Sequence, residues 1–155
     1  MTDIYHELLE ALAETPVRIQ ELVEGAGAGA ATKPAIGPEG WGPAAIIAHL
    51  ADTERILRGR IEQMLTREAP YLKSFDPDAL AGERGYADKE LRAALEDFAT
   101  ERAETIQRLM NLPLKGWERS GIHDERGEIS VEDVTEQLVD HDAAHLTQLG
   151  AALAG

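Results

Sequence analysis

Apolar side chains recur every three or four residues along four stretches of this chain, which predicts four long helices. The predicted helices cover residues 3–23, 43–67, 88–112 and 130–153. Each carries its apolar residues on one side, as a helix does when it packs against neighbours. Four such helices of roughly 20–25 residues predict an all-α fold, a four-helix bundle.

Long connections separate these helices. The first, residues 25–40, is rich in glycine, alanine and proline and is expected to be a flexible loop. The second, residues 69–86, is long for a bundle loop and could cross the length of the bundle. That crossing would make the second and third helices parallel, in an up-down-down-up order. The third, residues 116–129, is turn-rich with room for a small hairpin, and no stretch has the pattern of a full strand.

Local signals mark some of the helix ends. Thr15 followed by Pro16 predicts a kink or a restart of the first helix, with Thr15 as the cap and proline at the first helical position. Pro43 opens the second helix in the same way. Ser130 followed by Asp133 is a variant capping box and predicts the start of the fourth helix.

Length and composition limit the class of protein. The 155 residues are expected to form one domain over 1–155. No apolar run is long enough to cross a membrane, and the N-terminus lacks the features of a signal peptide, so a cytoplasmic location is expected. A formal net charge of -14 argues against nucleic-acid binding, which needs a basic surface. The chain has no cysteine, so any metal must be held by histidine and carboxylate.

Three histidines are the main candidates for such a site. His141 and His145 are four residues apart in a predicted helix, so their rings lie on one face and could hold one ion. A third imidazole from His49, on another helix, would leave coordination positions open for chemistry. All three lie in or beside the apolar stripe of their helix. The alternative for each is a structural histidine that hydrogen-bonds buried carboxylates or backbone.

Three charged residues also fall on apolar helix faces. Arg102 lies at the centre of the stripe of the third helix, and Glu54 and Asp142 project toward apolar faces of theirs. A lone buried arginine is costly, so Arg102 is predicted to pair with Glu54 or Asp142 inside the bundle. The alternative for Arg102 is binding of a substrate anion. Both carboxylates are also candidates to accept the second N–H of a metal-bound imidazole.

Four further residues have weaker expectations. His123 is expected in a loop, with a place at a pocket rim as the alternative, and His6 is expected to face solvent. Asp52 is expected to point outward as a solvated carboxylate. Trp41 is expected to pack where the first loop enters the second helix, with a pocket wall as the alternative.

Two sequence blocks carry a resemblance to a known family. The first is WGPAAIIAHLADTERI, residues 41–56, in which His49 begins H-L-x-D-x-E. The second is EDVTEQLVDHDAAHLTQL, residues 132–149, which contains H-D-x-x-H-L from His141. In their order and separation these blocks resemble the DinB/YfiT-like family of metalloenzymes, and the likeness extends over essentially the whole chain.

The resemblance implies a fold, a cofactor and an activity. The fold would be an up-down-down-up four-helix bundle, and a divalent metal, most often nickel or zinc, would be held by His49, His141 and His145. Members commonly form homodimers. Characterised relatives include thiol S-transferases and isomerases that use a low-molecular-weight thiol such as bacillithiol or mycothiol. Because this chain has no cysteine, such a thiol would be a cosubstrate.

Three functions are therefore open. The first is a metal-dependent transferase that acts on a small molecule with a thiol cosubstrate. The second is a metal-dependent hydrolase, in which metal-bound water is the nucleophile. The third is a non-catalytic bundle that binds a small ligand or a partner protein. The sequence assigns no catalytic residue beyond the candidate ligands.

Overall fold

The computed structural model describes residues 3–33 and 40–154, and four long helices dominate them. The long helices are α1 (Ile4–Ala26), α2 (Pro43–Thr66), α4 (Leu91–Met110) and α6 (Val131–Ala154). The short helices are α3 (Pro77–Glu83) and α5 (Leu114–Glu118). None of the helices within the described ranges is long and apolar enough to cross a membrane. The assignment of 1–155 to one domain stays a prediction.

The four long helices pack as a bundle, as predicted. Helices α1 and α2 each pack chiefly against α4 and α6. Their inward faces form two apolar clusters. One contains Ile46, Phe98 and Leu149, and the other contains Leu57 and Leu138. The one-sided apolar stripes of the sequence are therefore the surfaces by which the helices contact one another.

Ion pairs between α2 and α4 indicate how these two helices are aligned. Arg55 of α2 pairs with Asp97 of α4, and Glu62 of α2 accepts a hydrogen bond of 2.6 Å from Arg108 of α4. Residue numbers thus rise together along both helices, as they do in a parallel pair. The up-down-down-up order of the whole bundle stays a prediction.

A small sheet joins the second and third connections. Strand β2 (Ser120–His123) and strand β3 (Gly127–Ser130) form the expected hairpin, and β1 (Tyr71–Leu72) pairs parallel with β2. A Cβ atom at Gly121 would lie 2.9 Å from the Pro70 carbonyl oxygen, so glycine permits the close approach of β1. The hairpin was expected, but β1 was not, because this two-residue strand forms only through pairing with a distant segment.

Of the helix-end predictions, the capping box is confirmed and the one at Thr15 and Pro16 is corrected. The Asp133 N–H donates to Ser130 Oγ (3.1 Å) and the Ser130 N–H donates to an Asp133 carboxylate oxygen (2.9 Å), which is the predicted capping box. Helix α1 does not restart at Pro16 but continues through it, and Thr15 is a buried residue inside the helix rather than a cap. Burial of one continuous helix face outweighs the single backbone hydrogen bond that proline removes.

The first connection is more ordered at its start than the flexible loop expected. Its first two residues belong to α1, and a 3-10 helix occupies Gly27–Thr32. Residues 34–39 of this stretch lie outside the described residues.

Candidate metal centre

The histidine triad, His49, His141 and His145, converges between α2 and α6. One ring nitrogen from each lies within 4.8 Å of the others. The Nε2 atoms of His49 and His141 are 2.9 Å apart, and the three ring centroids are separated by 4.3, 4.6 and 4.9 Å. Residues from distant parts of the chain therefore meet at one point, as the sequence predicted.

The donor set suits a divalent ion. Metal–nitrogen bonds to imidazole are about 2.0–2.1 Å, so two nitrogens that share an ion are at most about 4.2 Å apart. The nitrogens of the triad lie within 4.8 Å of one another, so small changes in ring orientation would bring all three to one ion. Three imidazoles and no thiolate favour nickel, copper or zinc over calcium or magnesium.

Burial keeps two of these imidazoles neutral. Burial, assisted by the neighbouring His145, lowers the pKa of His49 to about 4. Burial, assisted by His145 and His49, lowers the pKa of His141 to about 3. At neutral pH both rings are therefore uncharged, which is the form that binds a metal ion.

The rings are oriented by aromatic packing and by an amide. The His49 ring, only 3 % exposed, lies 4.8 Å from the Trp41 ring and 6.5 Å from the Tyr86 ring. Its Nδ1 atom has no hydrogen-bond partner among the described residues. The Nδ1 atom of His145 lies 2.6 Å from Oε1 of Gln148, one turn further along α6. Gln148 thus has the position that the sequence analysis gave to carboxylates.

Arg102 binds both of the carboxylates predicted for it. Its guanidinium donates to both oxygens of Glu54 (2.8 and 2.9 Å) and to both oxygens of Asp142 (2.8 Å each). A fifth hydrogen bond of 2.8 Å reaches the carbonyl oxygen of Leu12. The hydroxyl of Thr15 also donates to Asp142, at 2.7 Å. We call these five residues the Arg102 network.

The Arg102 network is buried and complete. Arg102 is 1 % exposed and Glu54 is fully buried. Burial by itself lowers the pKa of Arg102, but the hydrogen bonds to Asp142 and Glu54 outweigh it and raise the pKa above its ordinary value. All five guanidinium N–H groups are used, so none is left for a substrate anion. The geometry supports the internal pairing of Arg102 and not the anion-binding alternative.

A cavity of about 580 Å³ opens beside the triad. Besides the three histidines it is lined by aromatic, polar and acidic side chains: Trp41, Thr53, Phe75, Pro77, Asp78 and Gln137. Trp41 thus both packs in the core, at 7 % exposure, and forms a wall of the cavity. The volume is within the range of small-molecule binding sites.

Asp52 and Tyr86 were not assigned to the site by the sequence, and the outward position expected for Asp52 was wrong. Asp52 is 7 % exposed and accepts hydrogen bonds from the Tyr86 hydroxyl (2.7 Å) and from Arg55 (2.6 Å). Burial and then the hydrogen bond to Asp52 raise the pKa of Tyr86. The second connection covers this side of α2, and a helical wheel of α2 alone gives no sign of that cover.

The other two histidines lie away from the triad. His123 is the last residue of β2, only 6 % exposed, and its Nδ1 accepts hydrogen bonds from the backbone N–H groups of Glu125 and Arg126. It is therefore not the loop residue expected, and it is absent from the cavity lining. His6 is exposed and pairs with Glu10 at 2.8 Å, as expected of a residue facing solvent.

The fold is shared with a solved structure. YfiT from Bacillus subtilis, described as a probable metal-dependent hydrolase with an unusual four-helix bundle topology, is 20 % identical to this chain. The TM-score is 0.81, and the match covers 96 % of this chain and 87 % of YfiT. At this identity the likeness establishes a common fold and confirms the four-helix bundle.

Sequence comparison identifies the family. None of the curated proteins matches this chain significantly. The family model of the DinB superfamily matches residues 7–149. This range includes all three histidines of the triad and all five residues of the Arg102 network. The chain therefore belongs to the DinB superfamily.

Proposed function

We propose that this protein is a metal-dependent enzyme that acts on a small molecule in the cavity beside the histidine triad. The observation that carries the proposal is the convergence of His49, His141 and His145 at the cavity wall. A divalent ion there would act as a Lewis acid and lower the pKa of a coordinated water or thiol. His49 and His141 are held neutral by burial, so they are ready to bind the ion.

The cavity lining favours a substrate without negative charge outside the group that binds the ion. Trp41 and Phe75 offer aromatic surfaces, and Gln137 offers an amide. Among the described residues that line the cavity, Asp78 has the one carboxylate, and no lysine or arginine is present. An ion at the triad would attract an anionic ligand atom. The rest of the substrate would meet aromatic surfaces, an amide and one carboxylate, so a neutral or cationic remainder with an apolar part would be accommodated best.

Thiol transfer is the leading reaction within this proposal. The family resemblance supports it, and the absence of cysteine means that a low-molecular-weight thiol would enter as a cosubstrate. Hydrolysis is the second candidate, favoured by the description of YfiT as a probable metal-dependent hydrolase. A cytoplasmic homodimer that does not bind nucleic acid completes the proposal, and the net charge of -14 supports its last part.

Metal content tests the centre directly. Elemental analysis of untagged protein is expected to give one divalent ion per chain for the parent and for His6→Ala, and much less for His145→Ala. His6 is the matched control because its imidazole is exposed and away from the triad. Equal metal retention by His145→Ala and the parent would refute the ligand assignment. A parent that binds no added nickel or zinc would instead support the non-catalytic alternative.

A substrate screen separates the two reactions. Metal-loaded protein is incubated with electrophilic acceptors with and without low-molecular-weight thiols, and in parallel with ester and amide substrates. Transfer predicts product only when a thiol is present, whereas hydrolysis predicts product without one. Chelator-treated protein is the control in both arms, and activity that survives chelation would contradict a metal-dependent mechanism.

A further inference from the structure

Five threonines in the long helices share one hydrogen-bonding pattern. Their hydroxyls donate to the backbone carbonyl oxygen four residues earlier, at 2.8–3.4 Å, as is common for threonine within helices. The residues that do so are Thr15, Thr66, Thr105, Thr135 and Thr147. The buried ones among them, Thr15, Thr105 and Thr135, therefore all have a partner within the protein.

Thr53 departs from this pattern. It lies within α2 and is 3 % exposed, yet its hydroxyl has no hydrogen-bond partner among the described residues. An unpaired buried hydroxyl lowers stability, so its persistence calls for a partner that the folded chain does not itself provide.

The position of Thr53 indicates where that partner lies. The residue lines the cavity, and it follows His49 by one helical turn, so the two side chains are on the same face of α2. A hydroxyl that is not turned back onto its helix can reach a group held at the triad.

We propose that the Thr53 hydroxyl hydrogen-bonds the ligand atom that occupies the open coordination position at the triad, an oxygen, nitrogen or sulfur atom with a free lone pair. This inference rests on the proposed function, because the metal holds that ligand in place. Thr53 would then contact the reacting molecule directly and would help to orient it.

The test uses cobalt(II) as the metal and azide as the ligand. The binding of cobalt and the binding of azide are each measured from the visible absorption of cobalt, so no substrate is needed. Thr53→Val keeps the shape of the side chain and removes the hydroxyl, and Thr53→Ser keeps the hydroxyl. Thr135→Val is the matched control, because Thr135 is fully buried and its hydroxyl bonds the Val131 carbonyl at 2.9 Å.

The expected result has two parts. Thr53→Val binds cobalt as the parent does but binds azide about tenfold more weakly, while Thr53→Ser and Thr135→Val keep the azide affinity of the parent. Without metal, Thr53→Val melts no lower than the parent, whereas Thr135→Val melts lower because it loses a satisfied hydrogen bond. If Thr53→Val does not fold, Thr53→Ala gives the same azide measurement.

Several outcomes would overturn the inference. With cobalt bound, unchanged azide affinity in Thr53→Val, an equal loss in Thr135→Val, or no azide binding by the parent would each do so. Thr53→Val could instead lose cobalt binding while Thr53→Ser retains it. That result would mean that the hydroxyl supports the metal site itself, and it would contradict a contact with the bound ligand. A parent that binds no cobalt would refute the proposed function, which is a different failure.

Discussion

The Arg102 network and the histidine triad are neighbours on α6, where Asp142 directly follows His141, yet their polar groups differ in how they are satisfied. Every N–H of the Arg102 guanidinium has an acceptor within the chain. At the triad, by contrast, Nδ1 of His49 and the hydroxyl of Thr53 have no partner among the described residues. The comparison teaches that burial alone does not identify a functional site. Of two buried polar clusters, the one whose polar groups lack partners within the chain is the one expected to bind a ligand.

Removal of the arginine should produce the largest effect. Arg102→Met leaves Glu54 and Asp142 buried without their counter-charge and is expected to lower the free energy of unfolding by about 3–5 kcal/mol, measured by urea denaturation. Arg108→Met on the same helix is the control. It breaks a half-exposed pair with Glu62 and should change stability by less than about 1 kcal/mol. Equal losses in both variants would mean that the network is not the stabilising element inferred here.

Added metal should stabilise the folded protein by binding at the histidine triad. At a free concentration one hundred times its dissociation constant, nickel or zinc is expected to raise the free energy of unfolding of the parent by about 2.7 kcal/mol. The measurement is thermal unfolding with and without the ion, reversed by a chelator. His145→Ala should show no such gain, and an equal gain in that variant would point to binding elsewhere on this acidic surface.

A threonine at each cluster gives a finer comparison. Thr15→Val removes the 2.7 Å hydrogen bond to Asp142 and is expected to cost about 2 kcal/mol in chemical denaturation, because the acceptor is charged. Thr53→Val removes a hydroxyl that has no partner in the chain and should cost nothing measurable. The contrast between the two clusters fails if both variants lose the same stability.

The smallest effect is expected at Gln148. Gln148→Leu removes the acceptor 2.6 Å from His145 Nδ1 and should weaken metal binding about tenfold, or about 1.4 kcal/mol, in a competition titration with a chelator. Gln148→Glu retains an acceptor at this position and should bind the ion at least as well as the parent. Unchanged affinity in the leucine variant would show that the amide does not orient the ring.

The sequence predicts those features that follow from helix geometry. The spacing of His141 and His145 fixes their common face, and the apolar stripes indicate that they and His49 point inward. The position of Arg102 in a stripe is enough to predict a buried carboxylate partner. It is not enough to predict two partners, because a helical wheel gives the direction of a side chain but not the distance between helices.

Contacts between segments that are far apart in the sequence cannot be predicted from helix geometry. Strand β1 exists because Tyr71 pairs with Ile122, and Asp52 is buried because the Tyr86 hydroxyl reaches it. Neither segment has a strong pattern of its own. The unpaired hydroxyl of Thr53 is also invisible in the sequence, because it depends on a side-chain torsion that the residue type leaves open.

One consequence follows from the way Arg102 contacts all three of the other long helices. It binds Leu12 on α1, Glu54 on α2 and Asp142 on α6 from its own place on α4. A slide of any helix along its axis would break charged hydrogen bonds, so the register between α2 and α6 is set before an ion arrives. The imidazoles are thereby preorganised, and coordination should lose little conformational entropy in the backbone.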